Sequence, residues 1–256
     1  MFQHAIVRTP GENFADGLTT VDLGKPDFSK VLAQHAAYCH ALQQCGLDVV
    51  CLDADLKHPD STFVEDTAVL TANTAILTRP GASSRCGEIA GIREAVARFY
   101  LVIQEIKSPG TLDGGDICEA GTHFFLGISH RTNREGAGQL GEFLAAEGYT
   151  SSMVDIRNMT SILHLKSGIS YLDNNNLVVM EELAGKEEFE GYNLVCVPME
   201  ESYACNCVLV NHRVLLPSGF PRLTAALTGL GYEPLFLDMS EFRKMDGGLS
   251  CLSLRF

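Results

Sequence analysis

Apolar residues in this chain fall into short runs, paired across turns and separated by stretches of helical spacing, and the arrangement repeats. The segment "FVEDTAVLTANTAILTRPG" carries two apolar runs on either side of "TANT", the mark of a β-hairpin. The same form returns in "TLDGGDICEAGTHFFLGIS", in "ILHLKSGISYLDNNNLVVM" and in "ACNCVLVNHRVLLPSG", with turns at "EAGTH", "DNNN" and "VNHR". A fifth run, "LSCLSLRF", closes the chain, and its partner is expected in "HAIVRTP" at the other end. The first strands are predicted to begin near Phe63, Leu112, Ile162, Cys205 and Ser250. That spacing of roughly 45 to 50 residues lies in the range of repeat and propeller units.

Helical patterns fill the intervals. Phe28, Val31, Leu32, His35, Tyr38, Cys39 and Leu42 recur at helical spacing between Asp27 and Cys45. Ser83 or Ser84 is placed to cap a helix running to Phe99 or Tyr100, and Thr132 or Asn133 to cap another ending near Gly148. A shorter helix is expected over Arg222 to Leu230, and a charged one over Met180 to Gly191. A short apolar strand follows each: "DVVCL", "VIQEI", "SSMVDI", "NLVCVP" and "PLFLD". Each unit is therefore β-β-α-β. With no Pro/Ser-rich linker, the expectation is one α/β domain over residues 1–256: five units closed into a ring, first strands nearest the axis, both termini in the closure.

Polar residues then stand out where packing would favour Val, Ile or Leu. The starts of the first strands carry Glu65 with Asp66, Asp113 with Asp116, His164, Asn206 and Cys251. Burying charge is costly unless it is paired, so these positions need an explanation. In a closed ring, equivalent positions of the repeat face one another, and the five polar starts converge on one pocket. Singly, each has an ordinary alternative. A free Cys is commonly buried packing, a His is commonly a hydrogen-bonded core or surface residue, and Asp-Gly is a turn signal. Packing and turns together account poorly for the whole set.

Bulk properties narrow the partners. The net charge is -13, from 32 acids against 19 bases. That argues against nucleic acid or an anionic membrane and favours a cation. The start "MFQHAIVRTP" has no signal-peptide pattern, and no apolar run approaches the ~20 residues of a membrane span. Nine cysteines at irregular spacing suit free thiols in a reducing cytoplasm. Cys205 and Cys207 form a C-x-C without the second ligand pair of a zinc site, and no metal is expected.

A Cys with a His is the minimum for nucleophilic catalysis, with a third group orienting the ring. The surrounding acids would raise a thiol's pKa unless something offset them. A guanidinium bound among carboxylates and above the sulfur would do so, and its planar fork matches carboxylates in bidentate pairs. The electrophile is then the guanidinium carbon and the leaving group an amine, protonated by the His, which afterwards deprotonates water. Arg85 and Arg131 lie on loops beyond the hairpins, where they could clamp an α-carboxylate. An amino acid with a guanidinium at one end satisfies both halves.

The segments "FVEDTAVL", "TRPGASSR", "LDGGD", "RTN", "LHLKSG", "ACNC" and "DGGLSC" resemble, in order and over essentially the whole chain, those of the dimethylarginine dimethylaminohydrolase family of guanidino-modifying penteins. The resemblance implies a five-bladed ββαβ propeller, no cofactor, and hydrolysis of asymmetric dimethylarginine or monomethylarginine to citrulline and a methylated amine. It implies Cys251 as nucleophile, His164 as general acid/base, Asp113 as the carboxylate that orients it, and Asp66 as the main guanidinium-binding acid. Leu18, Asp60, Glu65, Arg85 and Arg131 match positions that bind the substrate or close over it, and "ADGLTT" a mobile lid. Some members carry Glu in place of Asp113, which leaves open whether Asp113 or Asp116 reaches His164. The extra Cys205 reads as packing. The expected partner is a free guanidino amino acid, and the expected assembly a monomer or homodimer. A deiminase acting on arginine differs by a methyl group worth only about 1 to 3 kcal/mol. A non-catalytic binding protein would need neither Cys251 nor His164, and a metal-dependent amidinohydrolase would need a ligand cluster absent from the sequence.

Overall fold

In the computed structural model, which describes residues 1–256, the chain runs from β1 (His4–Arg8) through α1 (Phe28–Gln44) to β2 (Asp48–Leu52). The first complete unit is β3 (Ala68–Leu70), β4 (Thr74–Leu77), α2 (Ile89–Val96) and β5 (Val102–Glu105). The second is β6 (Ile117–Ala120), β7 (His123–Ile128), α3 (Arg134–Ala146) and β8 (Thr150–Asp155). The third has β9 (Ile169–Tyr171), β10 (Asn176–Met180) and β11 (Asn193–Val197). The fourth has β12 (Val208–Val210), β13 (Arg213–Pro217), α4 (Pro221–Gly229) and β14 (Glu233–Leu237). A single turn of helix, α5 (Ser240–Arg243), precedes β15 (Leu254–Arg255).

These strands form five three-stranded sheets of one pattern, an antiparallel hairpin followed by a parallel outer strand. In the second sheet Cys118 pairs with Phe125, and Phe125 with Ser152. The fifth sheet is assembled from both ends of the chain: Ile6 pairs antiparallel with Leu254 and parallel with Val50. The sequence expectation of a ring closed by the termini therefore holds. The first strands β3, β6, β9, β12 and β15 surround an axial cavity of about 400 Å³. The outer strands alternate exposed and half-buried residues, as sheet edges do. The apolar faces of neighbouring sheets meet in shared clusters, one holding Phe125, Leu177, Val179 and Leu216, another Ile6, Ala75, Leu77 and Leu254. Burying side chains of this size contributes about 1.5–3 kcal/mol each.

Caps fall where side chains can reach the first free amides. Asp27 accepts from Lys30 N–H, and Asn133 from Gly136 N–H. Thr132, the other candidate cap, turns its hydroxyl to Asp116 instead. Two helical expectations are corrected. The helix foreseen from Ser83 is a 3₁₀ turn over Ser83–Glu88, and regular α2 begins only at Ile89. The segment Met180 to Gly191 is not helical but two 3₁₀ turns, Glu181–Leu183 and Glu187–Phe189. Between its two buried anchors, Leu183 and Phe189, the backbone is extended at Lys186, whose ammonium donates to the Asp155 carbonyl, and that breaks the helix. No helix is long and apolar enough to cross a membrane.

The first strands also begin later than the apolar runs suggest. Each is preceded by a 3₁₀ turn: Val64–Thr67, Gly114–Asp116, Leu165–Ser167, Met199–Cys205 and Ser250–Leu252. Consecutive members of this set touch around the ring from Ser250–Leu252 through the first three to Met199–Cys205. The polar residues read as strand starts thus lie on or beside these turns, and that frees them from the in-out alternation of a strand.

Candidate active site

The ring of 3₁₀ turns encloses one end of the axis, and there a cavity of about 150 Å³ opens. Cys251, His164, Asp66 and Asp60 line it from three parts of the chain, Arg85 and Arg131 edge it, and Leu18 to Thr20 cover its mouth. Of the nine residues read from the sequence as site residues, seven line this cavity; Asp113 lies one layer behind His164, and Glu65 faces elsewhere.

Cys251 is partly exposed on the turn Ser250–Leu252, and Gly248 N–H points at its sulfur from 3.4 Å. Burial of the sulfur, then the carboxylates of Glu65 and Asp66, push the thiol up to about 12. His164 is 7% exposed, and its Nε2 lies 3.0 Å from Asp113 Oδ2. Burial opposes a charge on the ring, but Asp66, Asp116 and the Asp113 hydrogen bond outweigh it and raise the imidazole to about 9. These shifts favour a thiol beside an imidazolium over the thiolate–imidazolium pair of a directly coupled Cys–His dyad.

Asp113 and Asp116 differ in direction, although they sit three residues apart. Asp113 accepts from Gly81 N–H on its other oxygen (2.8 Å) and is wholly buried. Asp116 accepts from the hydroxyls of Ser129 and Thr132, each at 2.6 Å, and from Leu165 N–H at 3.0 Å. It ties the residues after β7 to the turn carrying His164 and acts on the ring only through its charge.

Asp66 accepts from Gly115 N–H (2.8 Å) and from Arg85 (2.5 Å). Burial alone would raise it; the charges of His164 and Arg85 hold it at about 2. Arg85, read as a loop residue able to clamp an α-carboxylate, lies on the 3₁₀ turn Ser83–Glu88. It is buried, its Nε and Nη2 are bonded to Glu88, Nη2 also donates to the Phe63 carbonyl (3.0 Å), and Nη1 holds Asp66. Arg131 is half-buried at the rim and carries no ion pair. Asp60 is held by Leu18 N–H (3.0 Å), and burial raises its pKa.

Glu65 departs from the expected substrate contact. Its carboxylate turns toward the axial cavity, where Lys166 (2.5 Å), Arg255 (3.4 Å) and the Ser250 hydroxyl (2.6 Å) bind it. It acts on Cys251 as a charge and by holding the preceding residue. Asn206 completes that support, donating to Ser250 Oγ and accepting from Ser250 N–H. Lys166, Glu88 and Asp246 were missed in the sequence; the only available signal was their adjacency to His164, Arg85 and the "DGG" before Cys251.

Two glycines are required by close approach. A Cβ on Gly115 would lie 2.8 Å from both Asp66 Oδ1 and His164 Nδ1, and one on Gly114 only 2.1 Å from the Glu65 carbonyl. "DGGD" is thus the packing of one unit's turn against the next. Asp66, Asp113 and His164 offer ligand atoms within 4.8 Å of one another. The imidazole nitrogen that a metal would need is bonded to Asp113, and the Arg85 guanidinium sets a fixed positive charge beside Asp66, so the trio is poorly suited to a metal. Cys207 packs with its sulfur 2.9 Å from Ser170 Oγ, and Cys205 is buried beside it in the core, as read.

Comparison with known proteins places the chain in a family. A family model described as arginine deiminase matches residues 93–197. The chain is 49% identical over 257 residues to N(G),N(G)-dimethylarginine dimethylaminohydrolase of Pseudomonas aeruginosa, covering 100% of both chains. It is 37% identical to the protein of that name from Streptomyces coelicolor, over 98% of this chain and 96% of the relative. Among solved structures, a cysteine-to-serine variant of the Pseudomonas aeruginosa protein complexed with citrulline superposes with a TM-score of 0.97 at 48% identity, covering 100% of both. A histidine-to-glycine variant of a dimethylarginine dimethylaminohydrolase, an adduct with S-methyl-L-thiocitrulline, gives 0.96 at 48% identity and the same coverage.

Proposed function

This chain belongs to the dimethylarginine dimethylaminohydrolase family, and on that premise we propose how its own residues divide the reaction. The protein hydrolyses Nω-methylated arginine to citrulline and a methylated amine. Asp66 holds the guanidinium edge-on, Asp60 and Leu18 receive the α-amino end, and Arg131 receives the α-carboxylate, with Arg85 keeping Asp66 and Asp60 in place. Residues 1–256 act as one catalytic unit, as a monomer or homodimer, in the cytoplasm that nine unpaired thiols favour.

The observation that carries this division is the convergence of Cys251, His164, Asp66 and Asp60 on one cavity, with Asp113 bonded behind the imidazole. Burial and the carboxylates of Glu65 and Asp66 raise Cys251 to about 12, while Asp66, Asp116 and Asp113 raise His164 to about 9. A guanidinium seated on Asp66 neutralises the field that opposes the thiolate, so the sulfur loses its proton to solvent when substrate is in place. The thiolate then adds to the guanidinium carbon. His164 gives its proton to the methylated nitrogen, the C–N bond breaks, and the amine leaves a thiouronium on Cys251. His164, now neutral, takes a proton from water; hydroxide adds, the C–S bond breaks, and citrulline departs. Asp113 fixes the ring and supports its charge.

Purified protein given arginine, monomethylarginine and dimethylarginine should release citrulline from the methylated substrates together with methylamine or dimethylamine. Citrulline accompanied by ammonia alone would overturn the methylarginine assignment. The protonation scheme gives its own result. kcat/KM should climb with pH up to about 9 and then flatten, because further thiolate is cancelled by lost imidazolium. Asp113→Asn removes a carboxylate that raises the imidazole, so this break should move to lower pH. A break that stays in place would remove Asp113 from its role.

A further inference from the structure

The loop over the cavity is held by polar contacts more than by burial. Leu18, Val21 and Leu23 are exposed, so hydrophobic packing contributes little to keeping this segment down. Its contacts lead to the segment that carries the nucleophile. Thr19 Oγ1 donates to the Lys244 carbonyl (3.1 Å), and Thr20 gives both its N–H (2.5 Å) and its hydroxyl (3.0 Å) to Asp246 Oδ2. Asp246 has φ +56°, a left-handed conformation costly for most non-glycine residues. The other three non-glycine residues with positive φ are asparagines in the turns "DNNN" and "VNHR". Asp246 belongs to no hairpin, and its conformation directs the carboxylate across to Thr20. Thr20, Leu163 and Asp246 also form the wall common to the reaction cavity and a neighbouring polar cavity of about 610 Å³.

We infer that Asp246 is a positioning residue for the reaction: a latch that ties the covering loop at Thr20 to the segment leading into Cys251, so that the cavity is closed only while this contact is made. The inference rests on the assignment of that cavity as the reaction site. Both hydrogen bonds run to the same carboxylate oxygen, so one side chain carries the whole contact. Losing them raises the population of open loop and lowers apparent affinity by the fraction that remains closed, with less effect on the chemical step.

The test compares Asp246→Gly and Asp246→Asn with the parent protein. Glycine keeps the left-handed backbone and removes the acceptor. Asparagine also tolerates that backbone and keeps one acceptor oxygen, which makes it the conservative rescue and the variant most certain to fold. Asp246→Gly should raise amide hydrogen exchange about tenfold or more across residues 17–23 alone and raise KM for dimethylarginine by a similar factor, while kcat changes less than about threefold. Asp246→Asn should fall between. Unchanged exchange in the loop, an unchanged KM, or faster exchange spread through the whole chain would each overturn the latch. Exchange is read without turnover, so a protein inactive on methylarginine would sink the reaction assignment and leave the latch decided on its own.

Discussion

Cys251→Ser should lose turnover by about 10⁴-fold or more while keeping fold and ligand binding. The hydroxyl is a far weaker acid than the thiol, and the carboxylates that push Cys251 up to about 12 would oppose an alkoxide still more strongly. A bound guanidinium can offset that field for sulfur but not for oxygen. In the proposed division the ligand contacts come from other side chains: Asp66 on the turn Val64–Thr67, Asp60 on the preceding turn Pro59–Thr62, and Arg131 after β7. Serine is smaller than cysteine and leaves the Gly248 N–H free to meet its oxygen. Titration calorimetry with citrulline should therefore show binding close to the parent's, and mass spectrometry should show no covalent adduct with any substrate. Retained citrulline production, or an adduct at another residue, would end the mechanism. The cysteine-to-serine relative that holds citrulline in the same fold is consistent with the binding half of this expectation.

His164→Gln should cost about 10³-fold or more in kcat with dimethylarginine, and the loss should depend on the leaving group. An expelled amine needs a proton that only the imidazolium is placed to give. A methylthio group in the same position leaves without one, so the first half-reaction with S-methylthiocitrulline should survive. Hydrolysis then stalls, because no base remains to deprotonate water, and a covalent adduct on Cys251 should accumulate to about one per protein. Equal loss with both substrates and no adduct would show that His164 does not deliver the proton. The variant carries a second consequence. Asp66 and Asp116 lose the His164 charge that lowers both, so the pKa of each rises. The intact protein has the opposite linkage. His164 is raised from 6.5 to about 9, so its contribution to stability is full below pH 6.5 and is lost as pH rises through 9.

The repeat was legible because hairpins and outer strands are local, and apolar spacing reports local backbone geometry. β1 and β15 were matched across the whole chain on the same ground, since a fifth unit was incomplete at both ends. The failures have a common cause. The charged stretch after Met180 looked helical because its residues favour helices, yet the backbone extends at Lys186, whose ammonium is held by the Asp155 carbonyl of β8. Glu65 and Asp66 are neighbours in one 3₁₀ turn and face opposite cavities, because Lys166 and Arg255 approach one and Arg85 and Gly115 the other. No pattern in "VED" contains that choice.

From its residues alone, this chain settles five ββαβ units, a ring closed by its own ends, and polar groups at the same point of each unit. Those features follow from spacing along the backbone, which every segment carries within itself. Which of Asp113 and Asp116 meets His164, that Arg85 is enclosed by Asp66 and Glu88, and that Thr20 rests on Asp246 were decided only when the units packed together. A side chain on a turn takes its direction from the donors, acceptors and charges that other segments bring to it, and those segments lie tens to hundreds of residues away.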